Sequence, residues 1–323
     1  MTFYILALSI LCVFPYCKVS IIKQPLWLWL MALSVFSGYI EHHVDLVGLV
    51  GIALYIALYH AALYIKQPII RTISSTVFIA TSLALAVHVV PGFNNLPIVI
   101  NELITSDAIP YTLYANFDKG IVGLFVCAYF FSKNKLLVKT DSKAVANALA
   151  TASTTASTTS IPFTSTTTST TAETIATTKL KQPLFIIICT VLATLTVALM
   201  IGLVGFSPKV PDFWLAFIAI NLLFTCVAEE AFFRGLLQTK LSQLITTKRL
   251  AILAPLITAV VFALAHFIGG WSYVLVSGVA GFGYSYIFYK TQRLEWAILC
   301  HWLVNVSHFF LFTYPMIGKV APL

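Results

Sequence analysis

A long apolar run, residues 213–237, carries two adjacent carboxylates and an arginine in its interior. A run of this length predicts a membrane-spanning helix. Charged side chains inside such a helix are costly, so they usually face a protein or water-filled interior and indicate function. Glu230 and Arg234 are four residues apart and share a helix face, so they can pair. Glu229 points about 100° away, which leaves it available for chemistry or for another helix; the simpler alternative is an ion pair that only fixes packing.

The composition predicts a membrane protein. Hydrophobic residues make up 59% of the 323 residues and charged residues only 9%, whereas soluble domains carry about 25% charged residues. The net charge of +8 is scattered between apolar runs, which argues against a nucleic-acid-binding surface. The six cysteines have no metal-ligand spacing and are interpreted as small core residues.

Hydropathy and length predict an all-α, polytopic transmembrane bundle of about ten spans, with eight or nine as alternatives. The predicted spans are residues 2–17, 25–40, 46–65, 72–90, 111–131, 183–206, 213–237, 250–267, 271–289 and 294–312. Lysines and arginines follow the odd-numbered spans, and acidic residues lie in the intervening loops. This positive-inside pattern predicts a multi-pass protein of the cell membrane, as in a bacterial inner membrane, with both termini outside.

The chain divides into three predicted regions. Residues 1–139 form an N-terminal transmembrane bundle, to which no chemistry is assigned. Residues 140–182 are rich in Thr, Ser and Ala and cannot bury apolar area, which predicts a disordered, cytoplasmic linker. Residues 183–323 form a C-terminal bundle that contains the predicted catalytic cavity.

Polar residues recur in three predicted spans of the C-terminal bundle. His266 lies near the end of one span, while His301 and Asn305 lie one turn apart in the last. A lone histidine in a membrane helix is usually a packing residue, but intramembrane polar groups tend to partner one another. Measured from the basic span ends, Glu229 lies about 16 Å deep and His301 about 12 Å. We therefore expect one site, nearer the cytoplasmic side.

These residue types suit hydrolysis. A carboxylate can take a proton from water, and a histidine can orient that water or hold a metal. A histidine and an asparagine amide can donate hydrogen bonds to an oxyanion. The sequence lacks the H-E-x-x-H helix of zincins.

In order and spacing, three motifs together resemble the CPBP family of intramembrane proteases, also called the ABI family, which includes the CAAX prenyl endopeptidases. The motifs are Glu229-Glu230-x-x-x-Arg234, Phe262-x-x-x-His266 and His301-x-x-x-Asn305. The resemblance implies a helical membrane bundle with a conical cavity open toward the cytoplasm. It also implies that the second carboxylate and the arginine of the first motif support the site.

The same resemblance implies that Glu229 and His266 activate water, while His301 and Asn305 form the oxyanion hole. Zinc is a possible cofactor, with Glu229, His266 and His301 as its ligands. The expected partners are a peptide or membrane-associated protein substrate and the lipid bilayer, with no nucleic acid. The alternative is a non-enzymatic membrane scaffold, an immunity protein or a proton-coupled carrier that uses the same polar cluster.

Overall fold

The computed structural model describes residues 1–135 and 170–318, with side chains from residue 180 in the second stretch. The described chain is mostly helical. Its first half contains α1 (Thr2–Val13), α2 (Leu26–Ile40), α3 (Leu46–Tyr64), α4 (Pro68–Ala86) and α5 (117–135). Its second half contains α6 (Thr170–Met200), α7 (Trp214–Leu244), α8 (Leu253–Leu264), α9 (Gly270–Thr291) and α10 (Leu294–Leu311). Two short antiparallel hairpins complete it: β1 (Ser20–Ile21) with β2 (Gln24–Pro25), and β3 (Leu96–Glu102) with β4 (Tyr111–Ala115).

The predicted count of about ten spans is not confirmed. Five described helices are long and apolar enough to cross a membrane, namely α3, α4, α7, α10 and the Leu180–Met200 part of α6. Helices α8 and α9 are bent by 54° at the break between them, and they count as a sixth span if the bent pair is taken as one. Helices α1 and α2 are apolar but contain only 12 and 15 residues. The predicted fifth span starts as strand β4, because hydropathy alone does not separate an apolar strand from a helix.

Helix α7 is irregular around the two carboxylates. The stretches Asn221–Cys226 and Ala231–Gln238 are π-helical, and they flank one α-helical turn, Val227–Glu230. Such wider turns are rare and occur often at functional sites. Here they change the direction in which side chains leave the helix, so a regular 3.6-residue period does not describe α7.

Contacts between loops group the helix ends at two faces of the bundle: Met1 with Glu41 and Asp107 with Thr313 at one face, and Tyr16 with Glu295 at the other. The acidic face holds Met1, the α2–α3, α4–α5, α6–α7 and α8–α9 connections, and the residues after α10. Its charged loop residues are Glu41, Asp45, Glu102, Asp107, Lys209 and Asp212. The basic face holds the other helix ends. Its described basic residues are Lys18, Lys23, Lys66, Arg71, Lys133, Lys135, Lys181, Lys240, Lys248, Arg249, Lys290 and Arg293.

Helix α5 joins the two halves of the chain. It runs beside α7 in the same direction, and both of its glycines lie at this contact. A Cβ atom on Gly123 would lie only 3.2 Å from Ala228 Cα, and one on Gly120 would meet the Phe224 ring at 2.8 Å. Small residues allow this close approach of helix backbones in membranes. Buried side chains of both halves belong to one hydrophobic core.

The predicted division into two bundles and a linker stays a prediction. Helix α6 begins at Thr170, inside the predicted linker. The preceding part of that linker lies outside the described residues.

A clasp on the acidic face ties the β3–β4 hairpin to the residues after α10. Thr313 donates its hydroxyl to Asp107 Oδ2 at 2.7 Å, and its backbone N–H to Gly205 O at 2.8 Å. Ala108 pairs with Ile317 in a bridge. Hydrogen bonds from Thr313 and Thr105 lower the pKa of the Asp107 carboxyl.

Candidate active site

A fully buried ion pair lies at the centre of the C-terminal half. Arg234 Nη1 donates to Glu230 Oε1 at 2.9 Å, as their four-residue spacing predicts. The guanidinium also donates to Gly281 O at 2.8 Å and lies 4.7 Å from the centroid of the Phe262 ring. Neither side chain of the pair is exposed. Because an unpaired charge at this depth would be costly, the two residues depend on one another.

Glu230 also holds His301. The distance from His301 Nδ1 to Glu230 Oε1 is 2.8 Å, and the imidazole stacks on Tyr284 with 4.6 Å between ring centroids. An ionised carboxylate only accepts hydrogen bonds, so Nδ1 carries the proton of this contact. In the neutral ring Nε2 is then an acceptor, and it becomes a donor when the ring is an imidazolium.

His266 lies just beyond the end of α8. Its Nδ1 donates to Phe262 O at 2.8 Å, because a backbone carbonyl can only accept. The ring packs on Phe262 and Tyr273, with centroid separations of 4.6 and 5.8 Å. The neutral ring therefore carries a lone pair on Nε2, the form required of a base or a metal ligand.

Asn305 has a partner that the sequence analysis did not identify. Its Nδ2 donates to Asn221 Oδ1 at 3.2 Å and lies 3.7 Å from Cys226 Sγ. Asn221 begins the first π-helical stretch of α7. The Asn221 amide within the apolar run of α7 could have indicated this contact, since such a group needs a partner inside the membrane.

Glu229 is bound by a residue from the other half of the chain. Lys119 Nζ donates to Glu229 Oε1 at 2.7 Å, and both side chains are more than four-fifths buried. Lys119 belongs to α5, in the N-terminal half, to which the sequence analysis assigned no chemistry. A lysine inside a predicted apolar span could have indicated this contact, since a charge in the membrane needs a partner.

The start of α5 is held by the loop before it. Asn95 Oδ1 accepts a hydrogen bond from the Phe117 backbone N–H at 2.9 Å. Asp118 Oδ2, buried, lies 2.7 Å from His88 Nδ1. The first contact satisfies a backbone N–H at the start of α5. Together the two contacts fix the position from which Lys119 extends to α7.

A cavity of about 60 Å³ adjoins these residues. His266, His301 and Asn305 line it, so the structure brings three of the predicted site residues together. Glu229 is not among the described lining residues, but its neighbour Glu230 holds His301 at the cavity wall. The rest of the described lining comes from Phe262, Tyr273, Tyr284, His308 and small or aliphatic side chains of α6, the α6–α7 connection, α9 and α10.

The end of α8 changes one assumption behind the predicted depth. His266 follows the last residue of α8 on the acidic face, and Lys119 is in the first turn of α5 on the same face. Depth counted from the basic span ends assumed that α8 continues through His266. Because α8 ends at Leu264, that count does not apply to His266.

The described residues do not form a ready metal site. No group of three or more His, Cys, Asp or Glu side chains among them is placed to hold a metal ion. Glu229, a predicted zinc ligand, instead has the Lys119 ammonium on its Oε1. A positive group at that position would repel a dication. Zinc binding by Glu229, His266 and His301 therefore remains a prediction.

A comparison with protein families matches residues 211–307 to the family described as Type II CAAX prenyl endopeptidase Rce1-like. The resemblance to CPBP proteases is thereby confirmed for this segment. The match includes all three motifs and excludes α5 and α6. Comparisons with curated proteins and with solved structures found no match.

Proposed function

From the family match, we propose that this multi-pass membrane protein is an endopeptidase that cleaves a peptide or protein at or near the membrane. The family supports peptidase activity at this coarse level. The observation that carries the proposal is the convergence of polar groups from three helices. His266 at the end of α8 and His301 and Asn305 on α10 line one cavity, and Glu230 on α7, next to Glu229 in the chain, holds His301.

Water activation is the first role. Glu229 and His266 Nε2 are the candidate bases, and one of them takes a proton from water as its oxygen attacks the scissile carbonyl carbon. The same proton then passes to the leaving amine as the C–N bond breaks. Lys119 holds the Glu229 carboxylate in place through this cycle.

Stabilisation of the oxyanion is the second role. Asn305 uses one of its two Nδ2 hydrogens on Asn221, which leaves the other for the substrate. His301, whose Nδ1 is held by Glu230, donates from Nε2 only as an imidazolium. Because Arg234 shares the same carboxylate oxygen, it adjusts how strongly Glu230 supports His301.

The test compares membrane-associated peptides from cells that carry the wild type or the Glu229→Gln variant. A fragment present only with wild type would establish the activity and identify the substrate. Glu102→Gln, an identical change in the exposed β3 strand, is the control. Equal fragments in all three strains would favour the scaffold or carrier alternative. Measuring zinc in the purified wild type, together with cleavage in the presence of a chelator, tests the metal prediction separately.

A further inference from the structure

The Asn305 amide is held by two polar side chains of α7. Asn305 lines the cavity, whereas Asn221 and Cys226 are not among the described lining residues and are at most 9% exposed. The Asn305 Nδ2 atom lies 3.2 Å from Asn221 Oδ1 and 3.7 Å from Cys226 Sγ. Cys226 Sγ in turn donates to Asn221 Oδ1 at 3.3 Å. The three side chains therefore form a hydrogen-bonded triangle, with the Asn305 nitrogen at the corner that belongs to the cavity wall.

The π-helical stretch Asn221–Cys226 brings the two holding groups together. In a regular α-helix, side chains five residues apart point about 140° away from each other. In a π-helical stretch the backbone hydrogen bond joins each residue to the fifth after it, so residues five apart follow one another on one face. The contact between Cys226 Sγ and Asn221 Oδ1 depends on this arrangement. A regular helix of the same sequence would not present both groups to α10.

The triangle determines the role of each atom in the Asn305 amide. Asn221 Oδ1 is an acceptor, so it selects the nitrogen of Asn305, because a flipped amide would place two carbonyl oxygens against each other. Asn221 Oδ1 and Cys226 Sγ are only 3.3 Å apart, so both lie within reach of the same N–H bond of Asn305. The two N–H bonds of a planar amide point well apart. The second N–H therefore remains available to an oxygen in the cavity.

Other contacts dock α10 on α7. Trp302 Nε1 donates to Ile218 O at 3.2 Å, and the Phe217 and Phe309 rings stack with 3.8 Å between their centroids. These contacts lie about one turn before and one turn after Asn305 on α10. Removing the acceptor of the triangle should therefore leave the packing of the two helices intact and release only the orientation of the amide.

We propose that Asn221 and Cys226 are positioning residues, which orient Asn305 so that its nitrogen donates to the oxyanion. Asn221 supplies the main acceptor, and Cys226, a weaker hydrogen-bonding group, holds the Asn221 carbonyl. A donor that is oriented in advance needs no reorganisation when charge develops, so the triangle raises kcat rather than substrate affinity. The oxyanion role rests on the proposed peptidase function, whereas the orientation of the amide rests on the contacts alone.

Kinetics of purified variants on the peptide identified in cells test the positioning role. Asn221→Leu keeps the approximate shape of the side chain without its acceptor, and kcat should fall by about 10- to 100-fold at unchanged KM. Asn221→Asp retains an acceptor oxygen and should recover part of that loss. In the Asn305→Ala background Asn221→Leu should have no further effect, because both changes remove the same interaction. An equal further loss in that background would overturn the proposal, as would a wild-type kcat for Asn221→Leu.

Stability and the thiol provide the controls. Thermal midpoints in detergent report folding, with Asn134→Leu as the same change near the end of α5. Cys226→Ser retains a donor and should stay near the wild-type kcat, whereas Cys226→Ala should lower kcat by less than Asn221→Leu does. If Asn221→Leu lowers only the midpoint, with kcat of the folded fraction unchanged, the contact serves packing and the positioning role is refuted.

A measurement without substrate tests the orientation separately from the function. In protein with isotope-labelled asparagine, the nuclear magnetic resonance signals of the Asn305 side chain are those that disappear in Asn305→Asp. One of its two Nδ2 protons should exchange slowly with water and the other rapidly, and both should exchange rapidly in Asn221→Leu. Equal exchange of the two protons in the wild type would overturn the orientation. Unequal exchange without any Glu229-dependent cleavage in cells would support the orientation and refute the proposed function alone.

Discussion

Helices α5 and α7 lie side by side, and each supplies one member of the Lys119–Glu229 pair. In α7 the charged residues interrupt a long apolar run and match a family motif, so the sequence discloses their importance. In α5 the lysine stands near the start of the helix, outside the matched segment. A family motif therefore need not contain every residue of the site. A charge inside the membrane needs a partner, and the partner can come from any helix within reach.

The largest effect is expected on the α7 side. Glu229→Gln keeps the size of the side chain but removes the base, so peptide cleavage should fall by roughly 10²–10⁴-fold. His266→Ala should also be severely impaired, and the double variant should be little worse because the two groups act as a unit. Rates of the purified proteins on the peptide identified in cells provide the measurement. A Glu229→Gln protein as fast as wild type would refute the mechanism.

Loss of the buried pair should act on folding as well as on activity. Arg234→Ala leaves the Glu230 carboxylate buried without its main partner. Breaking such pairs costs about 3–5 kcal/mol in water-soluble proteins. We expect less folded protein and a lower thermal midpoint in detergent than for Arg249→Ala, a matched change on the basic face. Equal midpoints for the two variants would show that the pair is not structural.

Asn305→Ala should keep partial activity. Removing one oxyanion donor typically lowers the rate by about 10²–10³-fold. The loss should be in kcat rather than KM, because the donor acts on charge that develops only in the transition state. Asn134→Ala, near the end of α5, is a control of the same chemistry away from the cavity. A change confined to KM would place Asn305 in substrate binding instead.

The α5 side should give a smaller effect. Lys119→Met removes one charge-assisted hydrogen bond to Glu229, for which we expect about a 10- to 100-fold lower kcat. Lys119→Arg should restore part of the activity, whereas Lys133→Met, at the other end of α5, should leave it unchanged. An unaltered kcat for Lys119→Met would show that α5 contributes only packing to the site.

The smallest effect concerns the clasp on the acidic face. Hydrogen bonds from Thr313 and Thr105 lower the folded-state pKa of Asp107 below its unfolded value. Stability from this group is complete above the unfolded pKa and is lost as pH falls through the lowered folded pKa. The wild-type thermal midpoint should therefore drop on acidification below about pH 4, and less so in Thr313→Val. Equal acid sensitivity of the two proteins would contradict this role.

The sequence predicted the helical class, the membrane setting and the grouping of His266, His301 and Asn305. Those predictions succeeded because each residue stands out in an apolar run. It did not predict Lys119, because pairing across 110 residues depends on tertiary packing. It also missed Asn221, since the π-helical turns of α7 break the regular period used to assign helix faces.

The span count is not confirmed, for a different reason. Hydropathy merges neighbouring apolar elements, as where strand β4 precedes α5, and it counts short apolar helices such as α1 as full spans. Whether a helix can cross a bilayer depends on its length in the folded chain. The ends of helices are difficult to assign in an apolar sequence.

The glycine contact between α5 and α7 makes the site sensitive to a single methyl group. At Gly123 the nearest atoms are the backbone and Cβ of Ala228, directly before Glu229. Added bulk there meets main chain, which cannot rotate away as a side chain can. An alanine at this position would act as a spacer that moves Lys119 and Glu229 apart while leaving every charged group intact. The distance between Lys119 and Glu229 therefore depends on the size of the residue at position 123, which takes no part in the chemistry.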